Sequence, residues 1–560
     1  MLAMKSFSPP GPGVWELDNS HFTKPMSLFS EEMFTNSLAR GLKEGTARYG
    51  LALSHLSYRM VNGFFYKKAI IYGLSDDYFG QLPDNLFGQS EIISRLENGK
   101  KALESKLWRE DLRRWDDVVK PDSINRNNKL QSINPKKLEL DNLKQHLHDC
   151  RKNALEMMYR HHLFTIPAIL PIGLYVNKVR QWTGLPSSDL LFLLKGSTPV
   201  SRGSADNELK ILAKCLKDAN LTEENFIGEP ASRILEIMES QCGKSIKMAL
   251  EKYLNVVSCR LVTGYDITDK CAYEMPEIIL SNIWNFDFKA EDVKNDDVLE
   301  MTLNIRNKIS EINKNEFDSL LAEARLVNRL RDERGIYNDV LATGLARRVI
   351  LEVGNRLEAN KKLSDRNLIL HASHQEMIAL LTDKNFFLDD TLRERSLWHS
   401  QKTVDDAPSI LGGEKVLPKP PITIFPEIAR EGMAALFTAI AEIYDSSTNK
   451  ENKKELIFGT PVSAGIYEGT ARIISNSNDF SRLRQGDVLI AKSTTASFNG
   501  VLSLLGAIVT DRGGQLSHAA IVSREYGIPA VVSTGNATQV IKDGAKVRVD
   551  GSNGIVEVLI

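Results

Sequence analysis

Chemistry is concentrated in one string, Thr510-Asp511-Arg512-Gly513-Gly514-Gln515-Leu516-Ser517-His518-Ala519-Ala520. A β-type run, Ala507 to Thr510, feeds a double-glycine turn, and the pattern predicts a helix from about Ser517. Gly513 and Gly514 permit positive φ and can expose backbone N–H groups. Ser517 fits an N-cap, which places His518 in the first helical turn. The positive end of a helix disfavours imidazolium, so His518 is biased toward the neutral, nucleophilic ring. Open N–H groups at such an end would hold an anion such as phosphate. Arg512 adds a charge-assisted donor for phosphoryl oxygens. A neutral imidazole beside a phosphate cradle is what covalent phosphoryl transfer through histidine requires. A lone histidine at a helix start is more often a capping or surface residue. Here cap, turn, cation and imidazole occur together.

The elements that must position this string differ from those before it. Residues 1–444 read mainly as helices, with apolar side chains at three- and four-residue spacing in Phe29–Arg48, Leu138–Tyr159, Asn315–Arg331, Tyr337–Leu357 and Pro426–Tyr444. Polar or Pro/Gly-rich stretches at 8–13, 121–129 and 411–421 read as loops. Residues 445–456 lack large apolar side chains almost throughout and read as a flexible linker. From 457 to 560, short β-type runs alternate with glycine: GTPVSAGIYEGTARII, GDVLIA, GAIVTD, IPAVVST, KVRVD and GIVEVLI. The expected fold is therefore multidomain, a large mainly α-helical body (possibly two lobes) followed by a small α/β domain.

Composition narrows the class. The 560 residues carry 71 basic and 72 acidic side chains, a formal charge of −1, which argues against a broad electrostatic grip on nucleic acid. The most apolar run, Leu163–Val176, is interrupted by Pro167 and Pro171 and is shorter than the roughly 20 residues of a membrane span, so no membrane segment is expected. Five dispersed cysteines without a CxxC pair suggest reduced thiols and a cytoplasmic protein.

The stretch TDRGGQLSHAAIVSREYGIPAVVSTG closely resembles the phosphohistidine swivelling (β/β/α) domain of the phosphoenolpyruvate-utilising enzymes. These include phosphoenolpyruvate synthase, pyruvate phosphate dikinase, rifampicin phosphotransferase and phenylphosphate synthase. The resemblance covers Gly459–Ile560 and implies that His518 is phosphorylated and passes the group on. It also implies that Thr510, Arg512, Gly513, Gly514 and Ser517 surround that phosphoryl group. The family pattern usually has glycine near Ser533.

The helical body resembles the acceptor-binding part of rifampicin phosphotransferase at 15–30, 62–66, 259–276 and 324–357, although NVVSC before Arg260 departs from a small-residue/His pattern. No Walker-type loop or ATP-grasp nucleotide site is recognisable, and no phosphoenolpyruvate-binding barrel is expected. The arrangement resembles phenylphosphate synthase and implies a phosphotransferase subunit. A separate ATP-grasp protein would bind ATP and Mg2+ and phosphorylate His518, and the acceptor would be the hydroxyl of a small apolar molecule. Alternatives are a phosphocarrier in a protein relay and a non-catalytic, ligand-binding descendant with a regulatory histidine domain.

Arg260, Asp266, Arg331 and Glu333 are candidates for the acceptor pocket, an arginine meeting phosphate and a carboxylate acting as base. The competing reading of the 329–334 cluster is a solvated helix face. His371 and His374, three apart, are not expected to bind metal, because no third ligand is evident. His161 and His162 are read as packing or capping residues, and Phe64, Phe65, Tyr66, Tyr265 and Tyr337 as core.

Overall fold

The computed structural model describes residues 6–19, 22–198, 205–286, 296–413, 420–444, 456–474, 477–494, 498 and 501–559. Up to residue 455, the expected linker lies outside them. Helices make up 59% of the structure, forming a large helical body, and a small strand-rich domain follows at the C-terminal end. By contacts the chain divides into two compact units. Unit 1 comprises Met1–Leu174, Tyr265–Thr268 and Glu333–Phe437, and unit 2 comprises Tyr175–Gly264, Asp269–Asp332 and Thr438–Ile560.

Unit 1 is built on the helices Leu140–Leu163 and Val340–Ala359, which pack together. Leu143, Leu147, Cys150, Ala154 and Met157 form the buried stripe of the first, at the spacing that keeps side chains on one helical face. The unit also holds a four-stranded sheet: β1 (Trp15–Leu17), β2 (Leu53–Val61), β3 (Phe64–Ile71) and β4 (Ile410–Leu411), in the order β2-β3-β1-β4. A two-residue turn, Asn62-Gly63, joins β2 to β3 with both residues at positive φ, 52° and 88°. Asn-Gly is the pair such a turn favours. Phe64, Phe65 and Tyr66 are buried, as expected of core residues.

Two local expectations change. Residues 121–129 are not a loop but part of the helix Lys120–Gln131, in which Pro121 occupies the first turn, where proline's missing N–H costs nothing. Its polar Asn127 is buried and donates to Tyr337 O at 3.0 Å, so polarity there marks an internal contact rather than solvent. The apolar run with Pro167 and Pro171 lies mostly in the helix Thr165–Thr183, which follows Leu140–Leu163 after Phe164, and the stretch Leu140–Thr183 is by length and composition apolar enough to cross a membrane. However, 72% of its most apolar window is buried inside the protein, as in a core helix.

Unit 2 contains a helical cluster, with Leu212, Met238, Leu250 and Ile279 at its centre, and an eight-stranded sheet. The strands are β5 (Leu456–Phe458), β6 (Thr460–Ser463), β7 (Ile466–Ile474), β8 (Asp487–Ala491), β9 (Leu505–Thr510), β10 (Ala530–Val532), β11 (Lys546–Asp550) and β12 (Ile555–Leu559). Their order is β5-β12-β11-β7-β8-β9-β10-β6, and β7 through β10 run parallel. Strands covered on both faces read as near-continuous apolar runs, which explains the sequences DVLIA and AVV. Leu489 and Ile508 join one apolar cluster, Val488 and Val509 the other.

Within unit 1, a Cβ at Gly173 would lie 2.0 Å from Ala435 O, so these helices touch backbone to backbone. Gly173→Ala is expected to cost about 1–3 kcal/mol through overpacking. A denaturant midpoint equal to that of the parent would show that the contact can relax.

Candidate functional site

The site forms at the carboxyl ends of the parallel strands β8 and β9, where open α/β sheets place their ligands. Asp511 N donates to Ala491 O at 3.0 Å and Arg512 N to Lys492 O at 2.9 Å, which zips the two strand ends together. The helix His518–Tyr526 then begins, with Ser517 as its N-cap accepting from Ala520 N at 3.4 Å. Gly527, at φ 66°, ends it. His518 is therefore the first helical residue, as the capping pattern predicts. Its Nδ1 lies 3.0 Å from Thr494 Oγ1, on the segment after β8. Thr494 was not among the sequence candidates, because it is brought near only by strand pairing. Burial, and after it the charge of Arg331, lowers the His518 pKa to about 3, so the ring is neutral at physiological pH.

The glycine turn is held by the end of another helix. Glu427–Tyr444 leaves its last carbonyls without intrahelical donors, as every helix does. Leu516 N donates to Glu442 O at 2.7 Å and Gly514 N to Ile443 O at 3.1 Å. The sequence reading expected open N–H groups forming a phosphate cradle. Here the Gly514 N–H is taken by the helix end instead. A Cβ at Gly514 would lie 2.3 Å from Glu442 O, so glycine is needed for close approach. Gly513 has φ 116°, and its carbonyl accepts from Ser533 Oγ. Thr510 is fully buried and its hydroxyl donates to Arg512 O at 2.8 Å. Ser533 itself sits at φ 56°, a conformation that favours glycine. That accounts for the usual glycine near this position.

Of the proposed acceptor residues, Arg331 and Arg260 fall in unit 2 with His518, while Asp266 and Glu333 fall in unit 1. Arg331 Nη2 donates to Leu516 O, two residues before His518, whereas Nε and Nη1 are buried without a hydrogen-bond partner among the described residues. Burial lowers its pKa. The nearby Arg524 is fully engaged differently, donating to Val462 O, Gln515 O and the Gln515 side chain. Its pKa falls to about 10, through burial first and then the Arg331 charge.

Arg260 Nε donates to Val256 O at 2.8 Å. Glu333 is buried and accepts from Trp115 Nε1 at 2.8 Å and Lys120 Nζ at 3.1 Å. Asp266 is a buried hub. It accepts from Ser27 N (2.9 Å), Ser27 Oγ (2.5 Å), Ser30 Oγ (2.5 Å), Ile267 N (2.8 Å) and Thr268 Oγ1 (2.8 Å). Burial pushes its pKa up, but these donors and His399 outweigh it and the net shift is downward. A carboxylate held this way is a weak base. His371 faces His399, ring centroids 5.3 Å apart, while His374 faces His148 at 5.9 Å, so the two do not share neighbours. His161 Nδ1 pairs with Asp339 at 2.7 Å. No group of three His, Cys, Asp or Glu side chains among the described residues is placed to hold a metal ion. None of the five cysteines is in a disulfide.

Comparison with known proteins agrees with the architecture around His518. Residues 483–554 match the family model "PEP-utilising enzyme, mobile domain", so the chain carries the mobile domain of the phosphoenolpyruvate-utilising enzymes. Over 324 residues the chain is 29% identical to "Uncharacterized phosphotransferase YvkC" of Bacillus subtilis, covering 57% of this chain and 37% of that protein. It is 29% identical over 343 residues to the rifampicin phosphotransferase of Bacillus cereus, covering 59% and 36%. It is 51% identical over 105 residues to "Probable phosphoenolpyruvate synthase" of Staphylothermus marinus, covering 18% and 13%. The chain thus spans little over a third of the length of the first two relatives.

Two outcomes test the local geometry. Ser533→Val, which forces a β-branched residue to positive φ, is expected to lose about 1–3 kcal/mol, and Ser533→Gly to stay within about 1 kcal/mol of the parent. Thermal unfolding of both variants reads the difference. The folded pKa of Asp266 lies below its unfolded value of about 3.9. Its contribution is therefore full above about pH 4 and is lost as pH falls through the folded value. Asp266→Asn should be less stable at pH 7 and should show a shallower acid limb below pH 4 in urea titrations.

Proposed function

We propose that this chain is a phosphotransferase component in which His518 carries a phosphoryl group to the hydroxyl of a small, largely apolar acceptor. The donor is ATP with Mg2+ on a separate ATP-grasp protein, and the setting is the cytoplasm. The observation that carries this reading is a neutral imidazole on the first turn of a helix, with Thr494 at Nδ1 and the Arg331 guanidinium nearby. Phosphotransferases and a phosphoenolpyruvate synthase among the relatives support the reaction class.

With Nδ1 donating its proton to Thr494 Oγ1, Nε2 presents the lone pair. In the first step Nε2 attacks a phosphorus of the ATP polyphosphate chain, an N–P bond forms, the P–O bond to the rest of the nucleotide breaks, and that fragment leaves. Thr494 holds the Nδ1 proton as the ring becomes positive. In the second step the acceptor oxygen attacks phosphorus, an O–P bond forms and the N–P bond breaks. The hydroxyl proton passes to Nε2, and an imidazolium with a pKa near 3 discharges it to solvent. Such displacements demand in-line positioning and charge neutralisation more than strong acid–base groups. We assign neutralisation to Arg331 and Arg512, and positioning of the loop to Thr510, Gly513, Gly514 and Ser517. Asp266 and Glu333, both in unit 1, are assigned to the acceptor side. The 445–456 segment serves as the tether on which the histidine domain, 457–560, moves away from the body, 1–444.

Incubation with ATP labelled in both its β- and γ-phosphoryl groups and an ATP-grasp protein should give acid-labile, base-stable protein phosphate that His518→Ala abolishes. Label that persists in His518→Ala overturns the assignment. The low pKa adds a pH signature. An ordinary imidazole loses about thirtyfold of its neutral form between pH 8 and pH 5, whereas His518 stays neutral. With phosphoramidate as donor, the labelling rate of His518 relative to N-acetylhistidine should rise about thirtyfold over that range. A constant ratio would mean that His518 titrates normally.

A further inference from the structure

Arg331 presents a guanidinium with two unused donors. Its Nε and Nη1 are buried and have no hydrogen-bond partner among the described residues, while Nη2 is fixed on Leu516 O. Of the groups that its charge acts on, Arg524 is also cationic and has its own set of acceptors, and His518 is neutral. Asp332 follows in sequence and Tyr444 lies near, but neither accepts from these two nitrogens. Buried donors are almost always satisfied, and a guanidinium that leaves two of its N–H groups buried without acceptors is costly. The same fork sits at the junction where Gly514 and Leu516 are bound to the end of the Glu427–Tyr444 helix.

We propose that the phosphoryl group on His518 is the missing acceptor, so that phosphorylation itself tightens the docking of the glycine turn on Arg331 and on the 442–443 helix end, and loss of the group releases it. This rests on phosphorylation of His518 as proposed above. A phosphoryl group adds about two negative charges and three acceptor oxygens, and a planar guanidinium with two open N–H groups matches two of those oxygens. In the unphosphorylated state the junction is held by backbone hydrogen bonds and the single Arg331 Nη2 bond to Leu516 O, and the charges of Arg331 and Arg524 oppose each other. The sign of the local electrostatics therefore reverses with each transfer. A charged domain docks and an emptied one is freed. A second contact set is insensitive to this charge: Glu525 accepts from Gly196 N at 2.9 Å and Thr198 Oγ1 at 2.9 Å.

The test is hydrogen exchange at the Gly514 and Leu516 amides in the full chain, before and after His518 is phosphorylated with phosphoramidate. In that reaction the N–P bond to Nε2 forms as the donor's own N–P bond breaks and ammonia leaves. Exchange is expected to slow about tenfold in the phosphorylated protein, the scale of one added charge-assisted hydrogen bond. In those Arg331→Gln molecules that carry acid-labile phosphate, however slowly it is gained, exchange should show no slowing, and Arg331→Lys, which keeps charge and loses the fork, should show part of it. Glu525→Gln should raise exchange in both forms and leave their ratio unchanged. Because each variant is compared with itself, a general loss of stability does not mimic the effect. Unchanged or faster exchange in a protein that carries acid-labile phosphate overturns the proposal and leaves the phosphohistidine chemistry standing. Equal slowing by millimolar inorganic phosphate on the unphosphorylated protein also overturns it, since the site would then serve free oxyanions. Failure to form phosphohistidine at all removes the reading of function and this inference with it.

Discussion

The last carbonyls of the helix Glu427–Tyr444 set the position of everything near His518. A helix end must find donors, and here they come from Gly514 and Leu516. The requirement explains why the turn contains glycine: at Gly514 a side chain would collide with Glu442 O. It also fixes where the next helix starts, since Ser517 N donates to Gly514 O at 3.0 Å and Ser517 then caps the helix that carries His518. The imidazole is thus positioned by a chain of backbone bonds rather than by its own side-chain partners, of which Thr494 is one.

Burial and charge act in the same direction on that imidazole. Burial alone disfavours the protonated ring, and the neighbouring guanidinium disfavours it further, so two independent effects hold the lone pair available. The cost falls on stability at mildly acidic pH, because the unfolded chain binds a proton below about pH 6.5 that the folded site refuses. Perturbed titration of this kind concentrates at functional sites. The contrast with Asp266 is instructive. It is fully buried, but its five donors stabilise the charged form and leave it poorly suited to accept a proton.

Much of the histidine domain was legible in the sequence, because its information is local. Runs such as DVLIA and AVV between glycines and prolines read as short strands, and Ser517 before an apolar-periodic segment marks a helix start. The Asn62-Gly63 hairpin was equally local but was passed over within a region read as helical. Other features depend on distant partners and left no signal along the chain. Asn127 reads as a loop residue until Tyr337 O is placed beside it, and Thr494 is ordinary until β8 and β9 pair. The 329–334 cluster resembles a solvated face, and only the fold shows that Arg331 nitrogens are enclosed and Glu333 is bound to Trp115. Charge pattern alone does not reveal burial.

Each compact unit is assembled from separated stretches of chain, and this bears on how the protein is made. The helices of Tyr175–Gly264 share a unit with Thr438–Ile560, so their partners emerge from the ribosome long after they do. At synthesis rates of roughly 5–20 residues per second, that interval is on the order of ten seconds or more. During it the apolar faces around Leu212, Met238 and Leu250 can close on one another, since they form a cluster of their own. The faces of Met275 and Ile278 cannot, because they join the apolar cluster of the C-terminal sheet. In a nascent chain these two side chains stay uncovered until the C-terminal sheet has been made.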